Sequence, residues 1–144
     1  GAQRMQADLE QIGLKVNIRV MEWGEMLKRA KAGEHDMVSA GWAGDNGDPD
    51  NFLTPNLSCD AAKNGENYAR WCNQEFQGLI DKARAIAEPT QRAALYEQAL
   101  DVFDKDQPWI PMAYPKMFTA MRKNVEGYTQ SPLTNNNFAT TQVK

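Results

Sequence analysis

The sequence has 144 residues, a length that fits one domain or a part of a larger one. Hydrophobic residues make up 42% and charged residues 24%, as in ordinary folded soluble proteins, which argues against a disordered or fibrous chain. The formal net charge is −3 and the basic residues are scattered, which argues against a nucleic-acid partner. No apolar run approaches the roughly 18 residues of a membrane-spanning helix.

The first part of the chain alternates helical and extended patterns. Residues 1–14 predict a helix that starts without an N-cap residue or a signal peptide, so we expect a sequence cut from a longer one. Residues 15–21 alternate polar and apolar side chains, which predicts a half-buried strand. Residues 23–32 predict a helix ending at Gly33, and residues 37–40 predict a short buried strand. This rhythm indicates an α/β fold.

The second part of the chain begins with a long polar stretch. Residues 43–74 are rich in Gly, Asn, Asp and Pro without a hydrophobic period, which predicts a long loop held by function or by a covalent link. Apolar positions in residues 76–83 and 89–103 predict two helices that form a hairpin. The prolines in residues 109–121 favour an edge or irregular strand, and residues 131–138 predict a polar surface loop.

The two cysteines, Cys59 and Cys72, lie 13 residues apart in the polar stretch. Their spacing alone leaves open whether they are unrelated reduced thiols or a pair. A zinc site is disfavoured because there is no CxxC pair and the sole histidine, His35, is distant in sequence. We expect His35 to lie on the surface.

Residues 41–52, with the sequence GWAGDNGDPDNF, join the end of a predicted strand to a run of turn residues and carboxylates. Ligand sites in open α/β sheets favour such strand ends. Trp42 offers an apolar wall with a polar N–H, and Asp45 can accept charged hydrogen bonds from an ammonium group. The alternative is a turn whose Asp and Asn side chains cap their own backbone.

Several stretches resemble one family of proteins. They are EWGEMLKRAKAGEH at residues 22–35, GWAGDNGDPDNF at residues 41–52, the region of Cys59 and Trp71-Cys72, and RKNVEGY at residues 122–128. They resemble extracellular solute-binding family 5, which contains periplasmic dipeptide- and oligopeptide-binding proteins. The likeness runs along the whole chain and corresponds to the C-terminal portion of a family member.

The resemblance implies a single domain over residues 1–144 with a mixed sheet flanked by helices, as part of one lobe of a two-lobed type II periplasmic-binding-protein fold. It implies a periplasmic substrate-binding component of an ABC transporter, without a cofactor, that captures dipeptides or other short peptides. The expected partners are the peptide, an inner-membrane ABC permease and the remainder of the same chain, which would supply the anchor for the peptide carboxylate.

The resemblance also assigns individual residues. Asp45 matches an aspartate that pairs with the α-ammonium group of the peptide, and Trp42 and Trp23 match tryptophans that line the pocket. It implies that Cys59 and Cys72 form a disulfide, because the periplasm is oxidising and the long loop has no other source of order. The alternatives stay open: either tryptophan is a packing residue, and Asp45 caps a turn.

Two other classes of function compete with peptide binding. The first is a member of the same family with another cargo, such as haem, aminolevulinate, a longer oligopeptide or nickel. The second is a hydrolase that uses the carboxylates Asp45, Asp48 and Asp50. Catalysis is disfavoured because the sequence contains no GxSxG or HExxH motif and only one imidazole. We therefore expect no catalytic residues and no metal site.

Overall fold

A computed structural model describes residues 1–133 and 136–144 of the chain. The predicted surface loop at residues 131–138 thus falls partly outside the described residues. The described chain divides into two compact units, Gly1–Asp36 and Met37–Lys144, and each is treated separately below. The single domain expected over residues 1–144 stays a prediction. No helix among the described residues combines the length and the apolar character needed to cross a bilayer.

The first unit contains two helices, α1 (Ala2–Gln11) and α2 (Trp23–Ala32). α1 ends earlier than its predicted limit because the chain leaves the helix at Ile12 and turns at Gly13, whose φ is +85°. α2 has the predicted bounds. It begins where the Glu22 side chain accepts a hydrogen bond from the N–H of Glu25, and it ends at Gly33 in the left-handed conformation.

The described residues of the second unit form four helices: α3 (Pro49–Leu57), α4 (Ala61–Asn64), α5 (Gln74–Arg84) and α6 (Pro89–Asp106). α5 and α6 pack on each other, which confirms the predicted helical hairpin. Phe76 and Ile80 of α5 are fully buried. The core of this unit consists of apolar side chains from α3, α5 and α6, namely Leu53, Leu57, Phe76, Ile80, Ala83, Tyr96, Ala99, Val102 and Phe103.

The long loop predicted at residues 43–74 is wrong in part, because α3 and α4 lie within it. The hydrophobic period is hidden there because polar side chains are buried among the apolar ones. Asn56, which is 4% exposed, satisfies its amide by donating to the carbonyl of Phe52. The start of α3 does carry a local signal, an Asp48 N-cap followed by Pro49 in the first turn.

Strand pairing within the described residues is confined to β1 (Val125–Glu126) and β2 (Gln142–Val143), which are antiparallel with Val125 opposite Val143. The strands predicted at residues 15–21, 37–40 and 109–121 are not borne out by the structure. An alternating or apolar pattern shows which side chains favour burial, but a strand forms only where another backbone supplies hydrogen bonds. Apolar side chains in these segments remain exposed, including Val20, Met37, Ile110, Tyr114 and Phe118.

Candidate functional site

The loop before α3 is folded back onto the first turn of that helix. The indole N–H of Trp42 donates to the main-chain carbonyl of Asn51 at 3.2 Å. The main-chain N–H of Asp45 donates to the side-chain oxygen of the same Asn51 at 2.7 Å. The structure therefore places Trp42 and Asp45 on one loop and fixes both to one residue of α3. Trp42 keeps 40% of its surface exposed.

The carboxylate of Asp45 is exposed. Among the residues that the structure describes, no side chain or N–H donates to this carboxylate. Asp45 is held through its backbone instead, so the carboxylate does not cap the turn. The geometry leaves the Asp45 carboxylate on a backbone that Asn51 fixes, and this carboxylate can accept hydrogen bonds from an outside cationic group.

Asp48, three residues later, has a structural role. Its carboxylate accepts a hydrogen bond from the N–H of Asp50 at 2.9 Å, which makes Asp48 the N-cap of α3. The same carboxylate meets two nitrogens of the Arg92 guanidinium, each at 2.9 Å. The hydrogen bond from Asp50 and then the contact with Arg92 hold the pKa of the Asp48 carboxyl below its usual range.

Asp50 is also engaged. Its carboxylate accepts a hydrogen bond from the hydroxyl of Thr54 at 2.5 Å and lies 3.3 Å from Nε of Arg84. Of the three carboxylates in the motif, two are thus bound to arginines of the helical hairpin, and Asp45 is the one left for a ligand within the described chain. This distribution disfavours a pair of cooperating carboxylates of the kind that glycoside hydrolysis requires.

Trp23 belongs to the first unit. It is the first residue of α2 and is 56% exposed, so it is not buried in the core of that unit. Its assignment as a pocket-lining residue stays a prediction. His35, in the same unit, is half-buried and its Nδ1 is buried, whereas the sequence predicted a surface histidine. Within the described residues His35 Nδ1 has no hydrogen-bond partner.

Cys59 and Cys72 form a disulfide with an S–S distance of 2.12 Å, as the family resemblance implied. The segment that it closes is organised around Asn67, which is 2% exposed. The Asn67 amide donates to the carbonyl of Ser58 at 3.1 Å and to the carbonyl of Trp71 at 2.8 Å, so it connects the residues that precede the two cysteines. Nothing in the sequence singled out Asn67 from the many polar residues around it.

The closed segment is attached to the end of α6. The indole N–H of Trp71 and the side-chain amide of Asn73 both donate to one oxygen of Asp106, at 3.0 and 2.8 Å. These two hydrogen bonds lower the pKa of the Asp106 carboxyl, and the one from Asn73 has the larger effect. The Trp71 ring also packs edge-on against Phe76, with ring centroids 4.9 Å apart. The disulfide segment and the helical hairpin are therefore one packed structure.

Two residues that organise the site were not found from the sequence. Asn51 lies inside the quoted motif, but only the fold shows that it binds the backbone of Asp45. Arg92 lies 44 residues from Asp48, and no local pattern links the two. No group of three or more His, Cys, Asp and Glu side chains in the described residues is arranged to hold a metal ion.

Comparison with known sequences supports the family resemblance. Residues 1–64 match the profile described as bacterial extracellular solute-binding proteins, family 5 middle. Over 99% of its length the chain is 62% identical to di/tripeptide-binding protein 4 of Pseudomonas aeruginosa, and it covers 27% of that protein. It is also 43% identical, over 91% of its length, to heme-binding protein A of Haemophilus influenzae, of which it covers 24%. The chain thus spans about a quarter of the relatives' length.

Solved structures give the same result. The ABC transporter-associated periplasmic binding protein DppA from Helicobacter pylori, in complex with the peptide STSA, matches with a TM-score of 0.93 and 38% identity. The dipeptide-binding protein from Pseudoalteromonas sp. SM9913, in complex with Met-Leu, matches with a TM-score of 0.91 and 39% identity. Each match covers 99% of this chain and 28% of the other.

The described helices and small sheet therefore have the fold of part of a lobe of a type II periplasmic-binding protein. Residues 1–64 thus resemble the bacterial extracellular solute-binding proteins of family 5, and 99% of the chain is similar to a di/tripeptide-binding protein.

Proposed function

We propose that this chain is part of the substrate-binding component of an ABC importer that captures dipeptides or other short peptides. The observation that carries the proposal is the state of Asp45. Its backbone is fixed by Asn51 at 2.7 Å, while its carboxylate is exposed and engaged by no residue of the described chain. The names of the relatives and the bound peptides of the similar structures agree with this cargo.

The chemistry of peptide capture requires such a carboxylate. The α-ammonium group of a peptide is strongly hydrated, and it loses that water when a binding cleft closes around it. An anionic acceptor on a fixed backbone replaces the lost water, and the indole of Trp42, on the same loop, supplies an apolar wall. Trp23 is proposed as a second lining residue. Side chains of the peptide can vary if they face water, because bridging water is nearly as favourable as a direct hydrogen bond.

The proposal extends to the setting of the protein. The disulfide between Cys59 and Cys72 agrees with an oxidising compartment, and we place the receptor in the periplasm. Its partners are the peptide, an inner-membrane permease and the rest of the receptor chain, which provides the opposing lobe and the anchor for the peptide carboxylate. The receptor binds and releases its cargo without chemical change, so it is not an enzyme.

A receptor for haem is the second candidate, because heme-binding protein A shares 43% of the aligned residues. The two cargoes differ in the group that Asp45 would meet. A peptide presents an ammonium group to the carboxylate, whereas the propionates of haem would be repelled by it. The exposed Asp45 carboxylate therefore favours the peptide.

Calorimetric titration of the full-length receptor tests the proposal. The full-length receptor is a chain as long as the relatives that contains these residues. The ligands are a dipeptide, a tripeptide, haem and aminolevulinate, each titrated into the same preparation. We expect saturable binding of the dipeptide or the tripeptide and no comparable binding of haem. Tight binding of haem or aminolevulinate with no response to either peptide would replace this function with another cargo of the same family.

A further inference from the structure

Asn51 is the residue that connects the two proposed ligand-contacting side chains of the loop. Its side-chain oxygen accepts from the N–H of Asp45 at 2.7 Å, and its main-chain carbonyl accepts from the indole of Trp42 at 3.2 Å. Its own N–H donates to the carbonyl of Asp48 at 3.1 Å. The side-chain oxygen, the main-chain carbonyl and the N–H of Asn51 thus all form hydrogen bonds with the loop that precedes α3.

The helix that carries Asn51 is itself held in place from the other side. Asp48, at the N-cap of α3, is bound by Arg92 of α6, and Asp50, in the first turn, lies 3.3 Å from Nε of Arg84 of α5. Leu53 and Leu57 of α3 are buried in the core. Asn51 therefore lies on a helix that is fixed by ion pairs and by packing. Its hydrogen bonds to Asp45 and Trp42 hold the loop against that helix.

We propose that Asn51 is a positioning residue for ligand binding: it fixes the backbone from which the Asp45 carboxylate projects, without touching the ligand itself. The inference rests on the proposed function, since it matters only if Asp45 meets the ligand. A carboxylate on a loop of Gly, Asn and Asp would otherwise sample many orientations, and each reorientation on binding would reduce affinity. The hydrogen bond from the Asp45 N–H to Asn51 removes the backbone part of that freedom before the ligand arrives.

The test is a double-mutant cycle in the full-length receptor, with dipeptide affinity measured by calorimetry. Asn51→Leu keeps the approximate volume and removes the acceptor, and we expect it to weaken dipeptide binding about five- to tenfold, the size expected for one lost hydrogen bond. Asn51→Asp keeps an acceptor oxygen and is expected to retain most of the affinity. If Asn51→Leu melts far below the wild type, Asn51→Ala takes its place.

The control variant is Asn46→Ala. The Asn46 side chain also accepts from a loop N–H, that of Asp48 at 3.0 Å, but within the described residues it accepts no hydrogen bond from Asp45, so its removal should change dipeptide affinity little. A residue with a merely structural role would affect all ligands alike. Asn51→Leu is instead expected to leave the weak binding of an N-acetylated dipeptide unchanged and to have no further effect in the Asp45→Asn background.

The outcomes separate this inference from the proposed function. If Asp45→Asn weakens dipeptide binding but Asn51→Leu does not, or if the two losses multiply in full, Asn51 does not act through Asp45 and the inference is wrong. If Asp45→Asn itself binds dipeptide like the wild type, the ammonium anchor fails first, and the role of Asn51 fails with it. Non-additive losses, with Asn51→Asp active, support the positioning role.

Discussion

The guanidinium of Arg92 binds the carboxylate of Asp48 through two nitrogens at 2.9 Å each, across 44 residues of sequence. Both side chains are partly shielded, with 25% of Arg92 and 31% of Asp48 exposed. The pair fixes the N-terminus of α3 to α6, so Asp48 is a stability residue close to the proposed ligand-binding Asp45. The sequence had suggested either a turn residue or a hydrolase carboxylate at this position.

Two substitutions of Asp48 separate its contributions to stability, which are the N-cap of α3 and the ion pair with Arg92. Asn caps a helix about as well as Asp, so Asp48→Asn removes mainly the charge that faces Arg92 and should cost about 1 kcal/mol of stability. Asp48→Ala also removes the cap and should cost about 2 kcal/mol. Urea unfolding of the full-length receptor measures both losses of stability. Dipeptide affinity should fall far less than in Asp45→Asn, because the buried Leu53 and Leu57 still hold α3 in place. Equal stability of the two variants would mean that the cap contributes nothing.

Acidic pH should weaken the attachment of the disulfide segment to α6. Hydrogen bonds from Asn73 and Trp71 lower the pKa of the Asp106 carboxyl in the folded state. A carboxyl whose pKa is lowered on folding stabilises the folded state at pH values above its pKa in the unfolded chain, which is about 3.9 for Asp. This stabilisation is lost as the pH falls through the pKa of the folded state. The melting temperature should therefore fall as the pH decreases from about 5 toward 2.

Asp106→Asn tests that assignment, because it keeps an acceptor oxygen and cannot ionise. The variant should show a shallower decline of melting temperature below pH 5 than the wild type. Asp104→Asn, at an exposed position of the same helix, is the matched control and should follow the wild-type curve. A variant at position 106 with the same acid profile as the wild type would show that Asp106 does not contribute to the decline.

The disulfide between Cys59 and Cys72 should contribute about 3 kcal/mol to stability, as chain-entropy arguments give for a loop of similar length. The double variant Cys59→Ser, Cys72→Ser is expected to unfold at lower urea concentration than the wild type. Reductant should lower the wild-type transition and leave that of the double variant in place. Two alkylatable thiols in receptor purified from an oxidising compartment would contradict the pairing.

Local chemistry explains which elements were predictable. α2 was predicted with its observed bounds because its apolar spacing ends at Gly33, which takes the left-handed conformation that favours glycine. The hairpin of α5 and α6 was predictable from side chains with helical periodicity that face one core. α3 was missed because a polar residue, Asn56, occupies a buried position and interrupts the apolar periodicity. Its side-chain amide is satisfied by a hydrogen bond to the carbonyl of Phe52 in the same helix.

Contacts distant in sequence explain what was not predictable. The segment at residues 109–121 has an apolar composition suited to a strand, but no described backbone pairs with it, and composition does not reveal a partner. At the site, the sequence singled out Asp45 and Trp42, whereas Asn51 and Arg92 emerged only from the fold. A pairing such as Arg92 with Asp48 depends on the packing of α3 against α6, which no local pattern encodes.

The central claim, that Asp45 binds the ammonium group of a peptide, is tested most directly by calorimetric titration of Asp45→Asn in the full-length receptor. Asn keeps the shape and one acceptor oxygen but removes the charge. The loss of one partner of a desolvated charged pair costs about 2 to 5 kcal/mol, so dipeptide affinity should fall between roughly thirtyfold and several thousandfold.

An N-acetylated dipeptide, which lacks the ammonium group, should bind the wild type weakly and be nearly insensitive to the substitution. Asp48→Asn serves as the control, with melting curves recorded for both variants. Wild-type dipeptide affinity in Asp45→Asn, or tight and Asp45-independent binding of the acetylated ligand, would contradict the account.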